Sequence, residues 1–119
     1  MLMLTLLILI LNTPVHSYER SDAFVVRLYD KRIRVLAPKK FDPSISVIVE
    51  NKTLVKSISR IEKEGGVVIQ HFSVMPGSFK AIDLKIKKGE VIYLVPLSPP
   101  FQRVELVTGR RPYEIPAKR

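Results

Sequence analysis

Cysteine and tryptophan are both missing from this 119-residue chain. Without cysteine there can be no disulfide, thiolate metal ligand or catalytic thiol, and no lipid attachment at a lipobox cysteine. A domain of this kind is held by its apolar core alone, which about 100 residues can supply. Histidine is scarce, with only His16 and His71 present. The first 17 residues, MLMLTLLILILNTPVHS, carry no charged side chain. No stretch shows a sustained helical stripe of apolar residues, and no internal repeat is visible.

What is present begins with that uncharged start. From Leu2 to Leu11 every residue is apolar except Thr5. The run is shorter than the roughly 20 residues a spanning helix needs, and it has the length of a signal-peptide core. Asn12-Thr13-Pro14 breaks it, and Val15-His16-Ser17 offers a branched residue followed by a small one at the cleavage positions. The expectation is an N-terminal signal peptide over 1–17, cleavage after Ser17, and export to the periplasm or beyond. No integral membrane span would then remain. The positive n-region of most leaders is reduced here to the α-amino group. An uncleaved anchor and a misassigned start therefore stay open. All the charge lies after Ser17, so the net +9 falls on the mature part.

The mature chain has a period of two, the mark of half-buried strands. Phe24, Val26 and Leu28 alternate with Val25, Arg27 and Tyr29, and Ile33 and Val35 flank Arg34. Ile45, Val47 and Val49 repeat the pattern, as do Ile82, Leu84 and Ile86, then Val104 and Leu106. Val55–Ile61 is a mixed run with serines, and Val67–Val74 is a further strand. Val91–Val95 is nearly all apolar, as a central strand would be. Glu64-Gly65-Gly66 predicts a hairpin turn. Met75-Pro76-Gly77-Ser78 predicts a type II turn. Lys87-Lys88-Gly89-Glu90 predicts another hairpin, with Asp83 and Glu90 on its two arms. Between Thr53 and Lys63, Leu54, Ile58 and Ile61 have helical spacing, but the β-branched residues and serines favour a strand. Pro96–Phe101, PLSPPF, reads as a corner carrying the chain between sheets, with Phe101 plugging the sandwich end; a recognition strap is its alternative.

Seven to eight short strands separated by turns every 8–12 residues predict an all-β, antiparallel β-sandwich over 18–107. A basic, proline-containing tail over 108–119 follows. The succession SVIVENKT, MPGSFKAIDLKIKKGE and VIYLVPL resembles the pattern of bacterial immunoglobulin-like domains across about 45–97. The resemblance implies an immunoglobulin-like fold and carries no function with it. The cysteine pair and buried tryptophan of antibody domains are absent.

The function classes narrow by elimination. A copper-handling sandwich would need two histidines and a thiolate beside a methionine. After leader removal only His71 and Met75 remain, four apart and of one parity. A catalytic triad has the same single histidine to draw on, and no G-x-S-x-G occurs. Each carboxylate, such as Glu62 or Asp83, has a basic neighbour, which fits cross-strand ion pairs better than acid–base catalysis. No enzyme activity, metal or cofactor is expected. Asn51-Lys52-Thr53 spells a glycosylation acceptor, but a cysteine-free chain leans toward a bacterial envelope, where the triplet is a polar turn.

Basic residues supply the remaining contrast. Arg27, Arg32 and Arg34 form one group, Lys85 and Lys87 a second, and Arg110 a third. A shared face of these six would attract phosphate or carboxylate groups, such as lipid headgroups or an anionic envelope polymer. Solubility and edge protection explain the same residues without a partner. An exposed edge strand that pairs with an envelope protein is the other mode of contact expected. The runner-up class is a small basic nucleic-acid binder built on a five-stranded barrel.

Overall fold

A computed structural model describes residues 23–116, and it is all-β over that span. The expectations of a signal peptide over 1–17 and of its cleavage lie outside the described residues. Among the described residues there are nine strands: β1 (Ala23–Leu28), β2 (Arg32–Leu36), β3 (Ser44–Asn51), β4 (Ser57–Lys63), β5 (Val68–Val74), β6 (Phe79–Lys85), β7 (Ile92–Ser98), β8 (Val104–Leu106) and β9 (Tyr113–Pro116). They form two sheets, a five-stranded one in the order β6-β3-β1-β2-β9 and a four-stranded one in the order β5-β4-β7-β8. Two sheets packed face to face make a sandwich, a different arrangement from the five-stranded barrel of the runner-up reading. No helix among the described residues is long and apolar enough to cross a membrane.

The alternation read from the sequence is what fills the space between the sheets. Phe24, Val26 and Leu28 of β1, Ile33 and Val35 of β2, and Ile45, Val47 and Val49 of β3 meet Ile61, Phe72, Val74, Ile92 and Leu94 from the other sheet. Burial of such side chains contributes on the order of 1.5–3 kcal/mol each before entropy is set against it. The five-stranded sheet also buries part of its far face, where Ala23, Val25 and Ile48 form a second, smaller cluster with Leu36 beside it. Its central strands β1 and β3 are therefore apolar on both sides.

Four expectations need correction. The sandwich is not wholly antiparallel, because β1 and β3 run parallel, with Val25 opposite Ile48 and Arg27 opposite Glu50. A period of two is the same for parallel and antiparallel strands, so the sequence pattern could not distinguish them. Lys87–Glu90 does not close a hairpin. Its turn, held by Glu90 N–H donating to Lys87 O at 2.9 Å, joins β6 of one sheet to β7 of the other. Asp83 and Glu90 are thus not on paired arms. The PLSPPF segment is not a corner between sheets. β7 continues through Pro96 to Ser98 and returns as β8 in the same sheet. Ser59 faces Pro96 and Ile58 faces Ser98, so Leu97 is the extra residue of a bulge that lets the ladder accommodate a residue without an N–H. Phe101 does pack against the core, as expected. Last, the 108–119 stretch is not only a tail: Tyr113–Pro116 is β9, paired with β2.

Other local readings hold. Gly65 and Gly66 have φ of +86° and +83°, a region L side chains rarely adopt, and they turn β4 into β5. Gly77 has φ +74°, and Ser78 N–H donates to Met75 O at 3.0 Å, closing the Pro76-Gly77 turn. Thr53–Lys63 contains β4 and no helix.

Candidate functional site: two edges and an arginine face

The six basic residues are not gathered at one place. Arg27, Arg32 and Arg34 share the outer face of the five-stranded sheet, because Arg27 and Arg34 are register partners on β1 and β2. Lys85 lies on β6, at the far edge of that sheet, opposite Ser44. Lys87 lies in the turn beyond it, and Arg110 lies in the loop before β9, stacked on the Tyr113 ring at 3.7 Å.

Acids neutralise much of the arginine group. Register places Glu50, Arg27, Arg34 and Glu114 in one row across β3, β1, β2 and β9. Arg27 Nε lies 3.1 Å from Glu50 Oε2, and Lys52 Nζ lies 3.5 Å from Glu50 Oε1. Both partners of the first pair are nearly buried, at 11% and 5% side-chain exposure, so this is a structural ion pair rather than a charge offered to solvent. Arg32 Nε sits 2.6 Å from Glu114 Oε2 and its guanidinium lies over the Tyr29 ring at 4.5 Å. The acids were visible in the sequence, but the row they complete depends on non-local strand pairing.

Asn51 and Thr53 of the polar triplet are buried and structural, while Lys52 between them is exposed. Asn51 is fully buried at the end of β3. Its side-chain amide donates to Val55 O at 2.8 Å and to Val74 O at 2.9 Å. Its Oδ1 accepts from the Thr53 backbone N–H at 2.9 Å and from the Thr53 hydroxyl at 2.6 Å. Its backbone N–H donates to Ser78 O, and its carbonyl accepts from Gly77 N–H, both at 2.9 Å. One asparagine therefore ties β3 to the end of β5 and to the turn that leads into β6. An amide so enclosed is not accessible to a glycosyl donor in the folded chain.

That turn joins the two longest sheet edges. β5 ends the four-stranded sheet and β6 ends the five-stranded sheet, and each is seven residues long. The opposite edges, β8 and β9, have only three and four residues. β6 carries Lys80, Asp83 and Lys85, and Asp83 accepts a 2.5 Å hydrogen bond from Ser46. β5 carries no Lys, Arg, Asp, Glu or Pro, and none occurs from Gly65 to Met75. Charged residues and prolines are the ordinary means of keeping a sheet edge from pairing with another chain. β5 has neither, and its flanks Val67 and Met75 are exposed, as is its first residue, Val68.

His71 lies on this edge, exposed and opposite Arg60. Met75 is in the turn beyond β5 and is also exposed. Among the described residues no group of three or more His, Cys, Asp or Glu side chains converges to hold a metal ion. On the outer face of the four-stranded sheet Arg60 is paired with the nearly buried Glu62, and Arg103 lies over Tyr93 at 4.0 Å. At the far side of the sandwich the Tyr113 hydroxyl donates to Glu105 O at 2.6 Å, linking β9 to β8 across the two sheets. Burial pushes the Tyr113 phenol above its ordinary value, and the Arg110 cation over the ring works against that rise.

Comparison of the chain with protein-family models, with curated proteins and with solved structures finds no match.

Proposed function

We propose that this chain is an exported, non-enzymatic binding module of the cell envelope, and that it engages a protein partner by accepting a strand along β5. The observation that carries the reading is the uncharged, proline-free edge from Val68 to Val74, beside a charged edge of equal length on β6. Backbone N–H and C=O groups on an edge strand supply affinity to any extended segment, and alternate side chains supply selectivity. Export rests on the uncharged, apolar start of the chain. The immunoglobulin-like assignment of the sandwich rests on the strand and turn succession given above. The arginine face supports contact with anionic surfaces less well, because Glu50 and Glu114 pair with two of its three arginines.

The test compares immobilised wild type with the double variant Gln70→Lys/Ser73→Lys. Both residues are exposed on β5, so the fold is expected to persist. An envelope protein retained by wild type should be lost at least about tenfold by the variant, since like charges and long side chains block edge pairing. Equal retention by both would reject the edge. Loss of retention instead in Arg32→Glu/Arg34→Glu would transfer the function to the arginine face.

A further inference from the structure

Three connections meet at one end of the sandwich: 37–43 between β2 and β3, 86–91 between β6 and β7, and 107–112 between β8 and β9. Backbone bonds fasten them together. Ile86 N–H donates to Pro43 O at 2.9 Å, and Gly109 N–H donates to Pro38 O at 2.7 Å. Each connection carries two adjacent cations, Lys39-Lys40, Lys87-Lys88 and Arg110-Arg111, and all six residues are exposed. Among the described residues no carboxylate forms an ion pair with any of them. Two acids of this end are engaged elsewhere: Asp42 Oδ1 accepts from Ser44 N–H at 2.9 Å, and Glu90 Oε2 lies 3.4 Å from Lys63 Nζ. Glu64 and Glu105 are also here, and cations remain in excess. The opposite end is more nearly balanced, since Arg32 pairs there with Glu114 and Lys52 with Glu50.

A groove of about 290 Å³ opens among the same connections. Phe24, Phe41, Ile86 and Leu106 make its apolar walls, with Lys88 and the exposed Val107 beside them. Glu90 and Glu105 line it too.

We propose that this end docks on an anionic phospholipid surface, with the three basic pairs at the headgroup phosphates and the groove taking an apolar segment of one lipid. Four of the six cations are lysines on long, mobile stems, which suit a field of mobile headgroups better than one fixed phosphate. Each cation near such a surface strengthens binding by roughly fivefold. Cations around an apolar groove match an amphiphile, charged at its head and apolar beyond it, and match a phosphate polymer less well. A single-stranded nucleic acid would need exposed rings to stack on. Here Phe41 packs against the core, and Arg110 already covers the Tyr113 ring. Docking by this end stands the strands upright on the surface and leaves the β5 edge open. The contact does not depend on β5 pairing, and either can fail without the other.

The probes are vesicles of phosphatidylcholine alone and of phosphatidylcholine mixed with phosphatidylglycerol, co-sedimented with the full chain at low and high salt. Binding should be at least about tenfold tighter to the phosphatidylglycerol vesicles at low salt, and the preference should shrink as salt screens the headgroups. Lys40→Glu/Lys88→Glu should weaken binding to those vesicles at least about tenfold. Lys31→Glu/Lys56→Glu makes the same change of charge at the opposite end and should stay within about twofold, because the surface field fades over a Debye length. Should a reversed pair fail to fold, glutamine at the same positions decides the matter in the same sense. Equal binding to the two vesicles, or equal losses from the two variants, would overturn the proposal. So would binding to soluble polyphosphate without retention on either vesicle, which assigns this end to a polymer.

Discussion

β5 and β6 are consecutive edge strands of equal length, separated by one four-residue turn, yet they are treated in opposite ways. β6 alternates Ile82 and Leu84 inward with Lys80, Asp83 and Lys85 elsewhere, and its backbone edge is guarded by charge. β5 buries Phe72 and Val74 against the same core but offers Gln70, His71 and Ser73 outside. Core packing makes no such demand, because lysine at Ser73 would meet only solvent. The difference therefore lies in how each edge is guarded against another strand rather than in what holds the fold.

The largest effect on this comparison should come from the residue that anchors both edges. Asn51→Ala removes the bonds to Val55 O, Val74 O and Thr53, and strands several buried groups. At about 1–3 kcal/mol for each unsatisfied group, a loss of about 3 kcal/mol or more is expected in denaturant unfolding. The β5–β6 junction should lose hydrogen-exchange protection first. Next comes Glu50→Gln, which leaves Arg27 nearly buried beside a neutral amide. About 2–3 kcal/mol of destabilisation is expected, somewhat below the usual cost of breaking a fully buried pair because Arg27 retains some exposure. β5 and β6 should stay equally paired to their inner neighbours in that variant, which separates the arginine face from the edges.

Smaller effects on stability sharpen the contrast itself. Lys80→Thr/Lys85→Thr should cost less than about 0.5 kcal/mol, as exposed substitutions do. It should make β6 as receptive as β5, seen as stronger concentration-dependent association in sedimentation than wild type shows; a variant that associates no more than wild type would show that these lysines are not guards. Tyr113→Phe bears least on the two edges: it loses one hydrogen bond between the sheets, about 1 kcal/mol. It also tests a pH dependence. Burial favours the neutral phenol in the folded state, so its folded pKa lies above the unfolded value near 10. That contribution is complete below about pH 10 and is lost as pH rises through the folded value. Wild type should weaken there more steeply than the phenylalanine variant.

Much of the sandwich could be read locally. Gly65-Gly66 and Pro76-Gly77 mark real turns because backbone conformation at those sites depends on the residue itself. The alternation of β1, β2, β3 and β6 names their core residues for the same reason: one face of each strand meets the other sheet. What failed was non-local. A turn that closes a hairpin and one that crosses between sheets have similar sequences, so Lys87–Glu90 reads as a hairpin although it joins β6 to β7 of the other sheet. The parallel β1–β3 pair leaves no periodic trace, and β9 is a four-residue strand that follows Pro112 and ends on Pro116, paired in its sheet with β2. Arg27, Arg32 and Arg34 stand close in the sequence, and they share one face of β1 and β2. Their neutralisation was hidden because Glu50 and Glu114 come from strands distant in sequence. The β5 edge was legible as a charge-free run, but only the strand order made it an edge.

The central claim is that β5, and not β6, is the surface a partner pairs with. The most direct measurement is amide hydrogen exchange of the chain, residue by residue, free and with its retained envelope protein bound. The account predicts new protection at alternate amides of β5 from Val68 to Val74, with β6 from Phe79 to Lys85 unchanged. New protection on β6, or on the Arg27–Arg34 face with β5 left as it was, would contradict it.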